Sequence, residues 1–261
     1  MFGFSSKLPV GDDDRQWVED GFKRLERMLG RRRMLDAEVV LPTAECFPDP
    51  YSKDLSSAEA LFQRVCSYMR VDRRAVELEV FADESDELRK LVPYWRGNSG
   101  GCAGLFTHDQ SADGDKRIEN MVVAVRKSQL GDPLALVATL AHELGHVILL
   151  GGKLMDPKTA DHEPMTDLLT VYLGVGVFSA NSAARFKQYQ DDGYAGWSMQ
   201  HLGYLPEEVY GYALAKFAVE RGEEKPAWVK HLSTNVRSYY SRSRAWMAKN
   251  GPLIPTPKPI G

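Results

Sequence analysis

The chain has 261 residues, of which 43% are apolar and 26% charged. That is ordinary globular usage and excludes collagen-like, coiled-coil and fully disordered classes. Lys and Arg number 33 against 36 Asp and Glu, a net charge of −3, so the basic excess of a nucleic-acid binder is missing. Cys46, Cys66 and Cys102 form no CxxC, which argues against a disulfide scaffold and for a reducing compartment. The first residues carry no apolar run of signal-peptide length, and no stretch of ~18 uninterrupted apolar residues occurs. The expectation is a cytoplasmic protein with neither membrane nor nucleic acid as partner.

In chain order, Asp12–Asp14 followed by Trp17, Phe22, Leu25 and Met28 predict an amphipathic helix to about Gly30. The basic triplet Arg31–Arg33 suits a helix carbonyl end or solvent. Leu35–Leu41 alternates like a strand, and Pro42, Pro48 and Pro50 mark a loop. Ser56–Arg70 reads as a helix capped by Ser56 or Ser57. Ala75–Phe81, Cys102–Thr107 and Ile118–Val125 read as strands, the last two as an antiparallel pair with a long loop. Asp132 then caps a helix with Pro133 at its first position, and Gly151–Gly152 end it. Three more helices are expected: from Asp161 to near Asn181, Pro206–Glu220 and Ala227–Lys249. Strands mixed with helices, followed by helices alone, make an α+β pattern. The division is an N-terminal α+β part over 1–150, a helical part over 151–250, and a flexible proline-rich tail over 251–261.

The helix from Asp132 carries His142-Glu143-Leu144-Gly145-His146, an HExxH motif. Histidines four apart stand about 40° apart around a helix, so both imidazoles can reach one ion. Zinc takes imidazole readily, and three protein ligands leave a fourth position for water. The metal lowers that water's pKa, and Glu143 is placed to take its proton. From Leu134 to Leu150, His142, Glu143 and His146 are the only ionisable residues. A helix apolar all round belongs in the core, and buried polar groups there need partners. Glu163 and Asp167, four apart at the start of the next helix, share a face. One carboxylate can complete the ligand set while the other accepts the free N–H of a ligand histidine.

HELGH followed by a Glu163–Asp167 helix resembles the gluzincin branch of the zincin metallopeptidases, of which thermolysin is the familiar member. The resemblance covers about Gly100–Ala180. It implies a twisted mixed sheet with the motif helix above a helical lower subdomain. It implies Zn2+ held by His142, His146 and Glu163, Glu143 as general base and proton shuttle, and Asp167 orienting His142. It further implies a peptide or protein substrate lying antiparallel to an upper edge strand, for which Cys102, Ala103, Gly104 and Leu105 are the candidates. The gap from His146 to Glu163 is shorter than in thermolysin. Leu149 and Gly152 stand where metzincins need Gly and His. No motif marks the residue that stabilises the oxyanion; His201, Tyr204, Tyr210 and His231 qualify by chemistry alone.

Two alternatives stand beside this one. Peptide deformylases also pair HExxH with an upstream cysteine, and Gly101-Cys102 precedes His142 by 40 residues. However, the residue between their histidines is usually acidic, whereas Gly145 stands here. A zincin scaffold used only for binding or regulation is the other, but such a protein has no need of Glu143. The oligomeric state is not readable from the sequence.

Overall fold

The computed structural model describes residues 7–82, 104–108, 121–190 and 205–250. The proline-rich tail over 251–261 lies outside them. The fold is α+β at the coarse level expected. A small mixed sheet is set among helices, and one cluster of buried apolar side chains runs from Val10 to Tyr240.

Helix α1 (Asp12–Leu29) begins with three acidic residues against the positive end of its dipole and buries Val18, Phe22 and Leu25. It packs on two later helices, α5 (His162–Tyr172) and α7 (Glu207–Glu220). Trp17 Nε1 and Arg24 Nη1 both donate to Asp161 Oδ2, at 3.0 and 2.6 Å. Asp161 stands at the N-cap of α5, but these two donors occupy its side chain and it makes no side-chain cap bond.

The strand expected over Leu35–Leu41 does not form. Arg31–Leu35 is a short helix, α2, and the chain then runs as an irregular segment. Its backbone acceptors are served from afar: Arg221 Nη1 donates to the carbonyls of Met34, Leu35 and Ala37. Val40 N–H in turn donates to Gly174 O. These contacts satisfy part of the segment's backbone without a strand ladder. The basic triplet does meet a helix carbonyl end, since Arg33 Nη2 donates to Met69 O at 2.7 Å.

Helix α3 (Leu55–Met69) is capped by Asp54 rather than by Ser56 or Ser57. Asp54 Oδ1 accepts from Ser57 N, and Ser57 Oγ accepts from Asp54 N. Strands β1 (Val76–Phe81), β2 (Gly104–His108) and β3 (Met121–Arg126) form the sheet in the order β1-β3-β2. β3 is parallel to β1 and antiparallel to β2, with Gly104 opposite Val125 and His108 opposite Met121. Among the described residues β2 is therefore an edge strand.

Helix α4 (Pro133–His146) starts as expected: Asp132 Oδ1 accepts from Leu134 N and Ala135 N, and Pro133 occupies the first position. Leu136–His146 are all buried, packed by α3, α5, α6 (Gly176–Gln190) and strands β2 and β3. Full burial of Leu136, Val137, Leu140 and Leu144 is worth about 1.5–3 kcal/mol each. That gain offsets the cost of carrying three polar side chains inward. After His146 the helix widens into a single π-type turn, Val147–Gly151. By length and composition Pro133–Gly151 could span a bilayer, but it is 72% buried inside the protein.

One helix was expected from Asp161 to about Asn181, and two are found. Leu173–Val175 separate α5 from α6, and Gly174 adopts φ 84°. A Cβ there would lie 2.1 Å from Glu38 O, so the break belongs to the same contact that holds the irregular segment. Ala227–Lys249 likewise divides, into a 3-10 turn (Ala227–His231) and α8 (Thr234–Asn250). Asn181 bridges the division, donating to His231 O and accepting from Ser233 N.

Candidate metal centre

α4 presents His142 and His146 on one buried face, and the first turn of α5 brings Glu163 up to them. The approach depends on Gly145. A Cβ at that position would lie 2.7 Å from Thr166 Cγ2, so any side chain would push α5 away. Glu163 at an N-terminal turn is also favoured by the helix dipole.

The three donor atoms converge. His142 Nε2 lies 3.1 Å from His146 Nε2 and 3.0 Å from Glu163 Oε2, and His146 Nε2 lies 3.2 Å from the same oxygen. Tetrahedral bonds of about 2.0–2.1 Å set donors roughly 3.3 Å apart, so this triangle fits a divalent first-row ion. His142, His146 and Glu163 form a group able to hold a metal ion.

The surrounding hydrogen bonds explain which nitrogens face the shared point. Asp167 Oδ1 lies 2.8 Å from His142 Nδ1, and Asp167 Oδ2 accepts from Leu205 N at 2.7 Å. Asp167 is 2% exposed, so its carboxylate is held rigidly. Thr166 Oγ1 donates to His162 O at 2.8 Å and lies 3.3 Å from His146 Nδ1. With each Nδ1 facing Asp167 or Thr166, both Nε2 atoms are directed at Glu163, where they can bind a cation or share a proton with the carboxylate. Two imidazole nitrogens and a carboxylate oxygen at these separations need positive charge among them, from a proton or from a metal ion.

The same crowding moves the ionisation of the group. Burial alone would lower His142, but the Asp167 and Glu163 carboxylates outweigh it and raise His142 well above an ordinary histidine. Burial would raise Glu163, yet His142, His146 and His162 hold it far below the usual carboxylate range. Glu143 is 4% exposed, and its burial raises it, countered in part by the neighbouring histidines. It lines a small cavity of about 10 Å³ with His142, Asp167, Thr139, Ser179 and Tyr210.

The structure therefore brings together His142, Glu143, His146, Glu163 and Asp167. Gly104 and Leu105 lie on the edge strand β2; Cys102, Ala103, His201 and Tyr204 fall outside the described residues. His231 sits in the turn before α8 and is not among the cavity's lining, whereas Tyr210 is. Sequence reasoning passed over three contributors: Thr166, Ser179 and His162. His162 Nε2 lies 3.2 Å from Glu163 Oε1, and its Nδ1 is 2.9 Å from Thr159 O. Its place directly before Glu163 was the available signal. Ser179 comes from a different helix, and no spacing rule reaches it.

No protein-family profile matches the chain, and no solved structure matches it. A phosphoglycerate kinase from Candida maltosa is 25% identical over 149 residues, 56% of this chain and 30% of the kinase. The chain thus spans less than a third of that protein's length. Likeness at this level carries neither activity nor site residues across.

Proposed function

We propose that the protein is a zinc-dependent metallopeptidase of gluzincin type, acting on a peptide or protein substrate. One observation carries the reading: two imidazole nitrogens and a carboxylate oxygen, 3.0–3.2 Å apart, converge beside a buried glutamate. A bound zinc ion would polarise the scissile carbonyl and lower the pKa of a water molecule. The protein's own part follows from its geometry. His142, His146 and Glu163 hold the ion, and Asp167 and Thr166 fix the two rings. Glu143, its pKa raised by burial, would take a proton from that water and pass it to the leaving amine. Among the described residues β2 is paired on one side, and an extended substrate would pair with the other.

The sheet beside the motif helix and the helices after it agree with the zincin arrangement. Glu163 as third ligand favours the gluzincin over the deformylase reading, in which Cys102 would serve. Cys46 and Cys66 are buried free thiols, in keeping with a reducing, cytoplasmic setting. The test is to strip the purified protein with a chelator, restore zinc, and assay a mixed peptide library by mass spectrometry. Cleavage that disappears with the metal and returns with it supports the proposal; a zinc-loaded protein that cleaves nothing overturns it.

A further inference from the structure

The Ser179 hydroxyl oxygen is fully buried and has no hydrogen-bond partner among the described residues. The residue is 4% exposed, and it lines the cavity that Glu143, His142, Asp167, Thr139 and Tyr210 also line. Leaving a buried hydroxyl unpaired costs about 1–3 kcal/mol, so such an atom calls for a partner. The cavity, about 10 Å³, is close to the roughly 10–15 Å³ that one water molecule needs.

A buried water also needs two to four polar contacts. Four groups around this cavity can supply them. Ser179 Oγ can donate and accept. The Glu143 carboxylate accepts. Thr139 Oγ1 accepts from Gln129 Nε2 at 3.0 Å, which leaves its own proton for another acceptor. Tyr210 brings a phenol. Asp167 is committed elsewhere, one oxygen to His142 and the other to Leu205 N.

We propose that Ser179 is a positioning residue for Glu143, acting through one water molecule held in this cavity. The water accepts from Ser179 or Thr139 and donates to Glu143, which fixes the carboxylate's rotamer toward the metal ligands. Ser179 stands on α6, next to Phe178 and Ala180 in the core, so this anchor is rigid. The inference rests on the reading of Glu143 as the base.

The test begins with a high-resolution crystal structure of the full chain. One ordered water within roughly 2.6–3.2 Å of both Ser179 Oγ and a Glu143 oxygen supports the proposal. A dry cavity, or a water that touches Ser179 and not Glu143, overturns it. This arm needs no turnover, so it stands apart from the peptidase reading: a zinc-loaded protein that cleaves nothing sinks that reading and leaves the density to decide this one. Where cleavage is found, Ser179→Ala is expected to keep full zinc content and an unchanged KM while kcat falls about tenfold. Ser179→Thr, which retains the hydroxyl, should recover most of that loss. Unchanged kcat in Ser179→Ala, or a parallel loss of zinc, contradicts a positioning role.

Discussion

Among the described residues, two polar clusters are built on opposite plans. Between α1 and α7, Lys216 meets Glu19 and Glu220 at 2.8 and 3.0 Å, Arg31 meets Glu220 at 2.8 Å, and Tyr212 donates to Glu19 at 2.7 Å. Every carboxylate oxygen there has its own donor, and the charges cancel. At the His142–His146–Glu163 cluster Asp167 and Thr166 hold the outer ring nitrogens, and the two inner nitrogens face one carboxylate oxygen. The first arrangement is complete as it stands and serves to join two helices. The second gathers three potential ligand atoms around one point and is able to take a cation, which the completed ion pair is not.

The comparison breaks most sharply at Glu143, which belongs to neither ligand set. Glu143→Gln is expected to reduce peptide hydrolysis by about 10²–10⁴-fold while zinc content, read by mass spectrometry of the native protein, stays the same. Next in size, Glu163→Ala should weaken zinc binding by at least about a hundredfold in a chelator competition, and Cys102→Ser should leave it unchanged. The reverse ranking would favour a deformylase-like ligand set. Asp167→Asn, which disturbs the His142 ring without removing a ligand, is expected to cost about 10–100-fold in zinc affinity.

Lys216→Met sharpens the contrast from the other side. It leaves two carboxylates facing each other in a partly buried cluster and should destabilise the fold by about 1–3 kcal/mol in urea titration, without altering zinc affinity. A change in zinc affinity there would show that the two clusters are coupled.

The smallest expected effect is a proton count. In the metal-free protein, the Asp167 and Glu163 carboxylates raise His142, so it holds a proton to higher pH than an ordinary histidine. Zinc must displace that proton. Affinity therefore falls as pH drops through the raised His142 value, and binding at neutral pH releases a proton. The same raised value means that this pair stabilises the metal-free fold at low pH and ceases to do so as pH rises through it. Calorimetry in two buffers of different ionisation enthalpy measures the release; equal heats in both would contradict it.

How much of this was legible in the sequence follows from range. His142, Glu143 and His146 share one helix, and Glu163 and Asp167 share the next, so a period of 3.6 residues is enough to pair them. Asp132 and Pro133 announced α4 for the same local reason. The Leu35–Leu41 segment alternates like a strand, but Arg221, far along the chain, supplies its donors. The helix from Asp161 breaks at Gly174 because Glu38 presses against it. Ser179 and Tyr210 reach the cavity from α6 and α7 through tertiary packing, which no local pattern encodes. Even Gly145, visible within the motif, gains its meaning only from Thr166 on the neighbouring helix.

Equilibrium dialysis of the metal-free full chain against zinc tests the central claim most directly. The arrangement predicts about one tightly held ion per chain, abolished when His142 and His146 are both replaced by alanine. A chain that takes up no zinc, or a double variant that binds it as well as the parent, would contradict the account.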